Sequence, residues 1–165
     1  MKKTHTEPVK RTSFHDLCDS VFDKINRDYT LLAMDKTDAF DVILAYMKPA
    51  IAMFSGCNQD LYDKDEVIAS FNFELSEKNF EILSNYMVIC YLDATYIRTP
   101  EALQAHMSTT DFHKYDNSNV LGKALEVRKT YKSENDQLMI NYSYQTSKVF
   151  DAVVERHRRN RGVVK

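Results

Sequence analysis

The residue types able to do chemistry are scattered along this chain. Five histidines stand at His5, His15, His106, His113 and His157. No HExxH pair occurs, and neither His106 nor His113 is followed by an acidic or cysteine ligand at i+4, the spacing a helical metal site needs. Cys18, Cys57 and Cys90 form no CxxC pair, so they read as reduced, mostly buried thiols. No serine stands in a GxSxG context. Glu74 and Glu77 have the ExxE spacing with which helical nucleotide pyrophosphohydrolases hold magnesium. Glu74 falls in an extended segment, however, and no matching ExxD follows, so a helix-cap acid and a solvated acid are the favoured reading. The three glycines, Gly56, Gly122 and Gly162, have no glycine neighbours, which excludes the clustered loops that cradle phosphate. The sequence therefore predicts no catalytic residue, no metal and no cofactor.

Charge is segregated by position. Residues 1–11 carry Lys2, Lys3, Lys10 and Arg11 against Glu7, and residues 156–165 carry Arg156, Arg158, Arg159, Arg161 and Lys165 with no acid. The formal −2 of the 165-residue chain thus divides into +3, +5 and −10 for the body between. Basic ends on an acidic body suit contact with nucleic acid or with the acidic body of a neighbouring copy. Those five C-terminal residues are the candidate partner or DNA contacts.

A core large enough for one domain is affordable, because Leu, Ile, Val and Phe make up about a quarter of the chain, above the roughly 20% typical of disorder. The longest apolar run, Tyr86 to Leu92, is far short of the roughly 20 residues that span a bilayer. The basic N-terminus is followed by no apolar h-region, so no signal peptide or membrane role is expected.

The elements that would position these residues are mainly helical. Ser13 caps a helix with Leu17, Val21, Phe22 and Ile25 on one stripe. Asp35 to Asp38 starts another, striped by Phe40, Ile43, Leu44 and Met47, which Pro49 ends or kinks. Ser55-Gly56 reads as a turn and Asp60 to Glu66 as an acidic loop. From Val67 to Leu75 the odd positions are apolar, a period of two that predicts an extended segment. With no evident hairpin partner nearby, Phe71, Phe73 and Leu75 are expected to make an arm that contacts another subunit.

Ser76 caps the strongest helix, whose core stripe is Phe80, Leu83, Met87, Cys90 and Ile97. Thr99-Pro100-Glu101 opens a short helix to about Met107, and Thr109, Thr110 and Asp111 are again cap types. A final long helix runs from about Asn117 to Tyr144, with Leu121, Leu125, Tyr131, Leu138 and Tyr142 on its stripe.

The stretch Phe71-Asn-Phe-Glu-Leu75, with Glu81-Ile-Leu83 and Tyr86-Met-Val-Ile-Cys-Tyr-Leu92, resembles small virion structural proteins of tailed phages of Gram-positive hosts. Thr110-Asp-Phe-His113, Asn117-Ser-Asn-Val-Leu121 and Tyr142-Ser-Tyr144 extend that resemblance over roughly residues 14–148. Such proteins sit at the head–tail junction as neck, adaptor or connector proteins. The resemblance implies a homo-oligomeric ring, about twelve-fold, docked on the portal or another neck or tail protein, with phage DNA in the lumen. It implies a virion location after synthesis in the host cytoplasm, and no catalytic residues.

The expectation is an all-α protein, a four- to five-helix bundle with one long extended arm and flexible basic termini. Its parts are a basic tail over 1–12, a helical body over 13–148 with the arm at 60–75, and a basic tail over 149–165. Its function is that of a non-enzymatic head–tail connector. A small helical nucleic-acid-binding regulator using Arg156 to Lys165 is the alternative, and a magnesium-dependent hydrolase a more distant one.

Overall fold

The computed structural model describes residues 10–25, 34–98 and 114–146, with side chains over 121–144 of the last helix. The fold is mostly helical. Helix α1 spans Phe14–Lys24, and Ser13 caps it by accepting from the His15 N–H at 3.1 Å. Helix α2 spans Lys36–Leu44 and α3 spans Met47–Met53. The break between them falls at Ala45 and Tyr46, so Pro49 sits in the first turn of α3, where a missing N–H costs nothing.

Helix α4, Glu77–Leu92, is central. Ser76 accepts from the Asn79 N–H at 3.3 Å, closing its first turn. The helix packs on α1, on α3 and on the last helix, α5, which runs Lys114–Thr146 and is about 50 Å long at 1.5 Å per residue. Leu83 and Met87 are completely buried, while Phe80 and Cys90 are half-buried against the core. Ile97 is half-buried but lies outside the core cluster, a correction to the expected stripe. The cause is a change of pitch. Asp93–Ile97 form a π-helical turn in which the Arg98 N–H reaches the Asp93 carbonyl at 2.8 Å, which rotates later residues off the stripe.

The extended segment also differs from expectation. Strand β1 (Lys64–Asp65) pairs antiparallel with β2 (Ser70–Phe71), in register Lys64↔Phe71 and Asp65↔Ser70. On the other side of β2 lies the chain just before α1. The Phe71 N–H donates to the Thr12 carbonyl at 2.9 Å, the Thr12 N–H to the Phe73 carbonyl at 3.0 Å, and the Phe14 N–H to the Ala69 carbonyl at 2.8 Å. Both edges of the segment are thus paired within one chain, and its backbone groups need no second subunit. Phe71 is fully buried and Leu75 nearly so, and Phe73 packs against them. Phe14 meets Phe71 edge-on with ring centroids 5.3 Å apart. These residues are core of their own body rather than an arm. Thr12, 8% exposed, belongs to that body too, so the N-terminal boundary lies earlier than residue 12.

Candidate interaction surface

Pairing of Asp65 with Ser70 leaves residues 66–69 as the connection of a tight hairpin. The Asp65 carboxylate Oδ1 accepts from the Val67 N–H at 2.9 Å and the Ile68 N–H at 3.3 Å, an Asx turn that fixes the chain direction. Ala69 leaves the turn at φ 48°, the left-handed region a Cβ disfavours. Its carbonyl is held by the Phe14 N–H, so the strained geometry is anchored to the start of α1. Lys64 pairs with Glu66 at 3.0 Å and lies 5.9 Å over the Phe14 ring.

This braced turn points apolar groups into water. Val67 is 94% exposed and Ile68 51%, and Tyr62, on the approach to β1, is 70% exposed. Apolar side chains displayed together on a fixed backbone are the raw material of a protein contact.

A second surface runs between α4 and α5. Lys78 and Ile82 from α4 and Leu138, Asn141 and Tyr144 from α5 line a groove of about 320 Å³. Tyr144 remains 64% exposed there, and neighbouring Ile140 50%.

A cavity of about 330 Å³ lies where α3 meets the 55–62 loop, lined in part by Phe54, Cys57, Asn58 and Gln59. Its floor is tied together by amides. The buried Asn79 Nδ2 donates to Asn58 Oδ1 at 3.1 Å and to Gln59 Oε1, and the Tyr142 hydroxyl accepts from the Asn58 N–H at 2.7 Å. Burial pushes the Cys57 thiol up, and the Tyr142 hydroxyl as well. Cys90 is raised by burial and by the Asp93 carboxylate, and Cys18 is pushed up to about 12 by burial and Asp19. All three thiols therefore stay protonated near neutrality and are poor nucleophiles.

Other polar side chains, part-buried or buried, link the helices to one another. The Lys24 ammonium, at the end of α1, meets Ser84 Oγ at 2.6 Å, Asn85 Oδ1 at 2.7 Å and Glu81 at 2.9 Å, all on α4. Asn85 Nδ2 donates to Asn135 Oδ1 on α5 at 3.4 Å, and the Tyr131 hydroxyl donates to the Lys24 carbonyl at 3.0 Å. Arg128 of α5 forks onto Asp93 at the π-helical turn, its Nη2 3.0 Å from Oδ2. These part-buried contacts tie α1, α4 and α5 to one another.

Of the residues singled out in the sequence, Arg156, Arg158, Arg159, Arg161 and Lys165 lie outside the described residues, as do the short helix to Met107 and the caps at Thr109 to Asp111. Glu74 and Glu77 are both exposed, and no group of three potential metal ligands occurs among the described residues. Among those residues no helix is long and apolar enough to cross a membrane. Sequence reasoning missed the turn itself, because it read Val67 as the first apolar position of a continuous extended segment. The available signal was Asp65, an Asx-turn former two residues before an apolar pair. No family model, curated protein or solved structure matches the chain.

Proposed function

We propose that this chain is a non-enzymatic structural protein of a tailed-phage virion, a head–tail connector or neck adaptor that works by assembling. Each copy is a bundle of four to five helices with basic termini, and copies form a ring on the portal or an adjoining neck ring. The observation that carries this reading is the braced apolar turn. Val67 stands 94% exposed on a backbone fixed by Asp65 and anchored to α1, an arrangement suited to docking on protein. The charge pattern supports it, since the +5 C-terminal segment faces a choice between phage DNA in a lumen and the −10 body of a neighbour. The resemblance of residues 14–148 to neck proteins supplies the location, in the virion after synthesis in the host cytoplasm.

Negative-stain electron microscopy of the purified full chain, alone and with a portal ring, tests this reading. Closed rings, alone or stacked on the portal, are expected. A monomer that ignores the portal but binds duplex DNA with steep salt dependence would overturn it in favour of the nucleic-acid-binding regulator.

A further inference from the structure

We infer that the cavity beside the 55–62 loop is the docking site for this chain's own arginine segment, Arg156 to Arg161. The lining residues that reach solvent there are Ser55, Asn58, Asp60 and Tyr62, around a space of about 330 Å³. The backbone holds the acid in place, since Asp60 Oδ1 accepts from the Tyr62 N–H at 3.0 Å. The Asp63 N–H donates to the Asp60 carbonyl at 3.0 Å, so a single turn presents both carboxylates. Asp63 takes a hydrogen bond from Asn72 Nδ2 at 2.7 Å, but neither acid forms an ion pair among the described residues. Tyr62, between them, is 70% exposed. A carboxylate beside an open aromatic ring suits a guanidinium group, which forks onto the first and stacks on the second.

Charge and reach name the occupant. Arg156, Arg158, Arg159 and Arg161 place four guanidinium groups in a stretch without an acid, opposite a body of −10. Helix α5 carries the chain to this place. The Tyr142 hydroxyl accepts from the N–H of Asn58, a lining residue, at 2.7 Å, and α5 ends one turn later at Thr146. The stretch 147–155 that leads on to Arg156 can span up to about 30 Å. A segment tethered so close meets the site at an effective concentration on the order of millimolar, so exposed ion pairs that are weak singly act together. Guanidinium groups seated there are withheld from phosphate and from neighbouring copies. The contact lies within one copy, so it holds or fails independently of ring assembly.

Photocrosslinking of the full chain, with p-benzoylphenylalanine in place of Tyr62 to keep an aromatic ring at the site, tests the contact. A linked peptide joining position 62 to residues 156–161 is expected. When isotope-labelled and unlabelled chains are mixed, each link should join peptides of one label only. Asp60→Asn, whose amide oxygen still accepts the N–H of residue 62, should lower the yield about threefold. Arg156→Gln, Arg158→Gln, Arg159→Gln and Arg161→Gln together should reduce it to background. Links that join the two labels would give the site to a neighbouring copy's segment and overturn docking within one chain. Absence of a link to 156–161, or a yield that either change leaves as it was, would overturn the site altogether.

Discussion

The Asp65 carboxylate accepts from the Val67 N–H at 2.9 Å, and that one bond connects a half-buried strand to the most exposed large apolar side chain described. One end of the turn is set by this acid and the other by Ala69, whose carbonyl is gripped by the Phe14 N–H. The surface thus inherits its rigidity from the core.

Replacing Asp65 by alanine removes the acceptor for two backbone donors. The loss should be about 0.5–1.5 kcal/mol, the ordinary worth of such bonds at a half-exposed site. Amide exchange at Val67 and Ile68 should accelerate while the amides of α4 keep their protection. Unchanged exchange at the turn would mean that Asp65 does not hold it.

Phe71 behaves as core, so Phe71→Ala should cost about 3–5 kcal/mol in urea unfolding, and Leu83→Ala or Met87→Ala about 2–5 kcal/mol. Phe71→Asp should unfold the body rather than merely block assembly, because a carboxylate would be buried without a partner. A folded Phe71→Asp monomer would restore the picture of a detached arm.

Gly122 lies in the interior of α5, and a methyl group added there meets nothing within 4 Å. Gly122→Ala should stabilise the protein by about 0.5–1 kcal/mol, through helix propensity and a less flexible unfolded chain. A measured loss would mean that the site is not open helix.

Cys18 is completely buried, and its thiol is pushed from an ordinary 9.0 up to about 12. Below pH 9 it is protonated both folded and unfolded and adds no pH dependence. Between pH 9 and 12 the unfolded chain releases this proton while the folded one keeps it. Stability should therefore fall by about 1.4 kcal/mol per pH unit in that window. Denaturant midpoints followed from pH 8 to 11 should decline less steeply for Cys18→Ala than for wild type, whatever the offset between them at pH 8. Parallel declines would show that Cys18 titrates normally.

Much of the helical frame was legible in the sequence. Ser13 and Ser76 announced their helices because a hydroxyl before an apolar stripe has few other uses. The last helix was foreseen within three residues of its start, Lys114 rather than Asn117, because its stripe persists for many turns. The hairpin was not legible. Its partner strands are Lys64–Asp65, two polar residues with no alternation, and the stretch around Thr12, about sixty residues away. A period of two reveals an extended chain but never names its neighbours. The inward-facing Asn79, Asn85 and Asn135 were equally hidden, since an asparagine in a helix looks solvated until a distant segment supplies its partner, the 58–59 loop for Asn79 and the opposite helix for Asn85.

The account stands most directly on the turn being an interface. Sedimentation equilibrium of the full chain across a wide concentration range, wild type beside Val67→Asp, measures this. Position 67 is 94% exposed, so the substitution should leave the unfolding midpoint unchanged within about 0.5 kcal/mol. The account predicts a wild-type mass that climbs with concentration above one subunit and a Val67→Asp mass that stays at 19.2 kDa. Equal association of the two proteins, or a wild type that never exceeds one subunit, would contradict it.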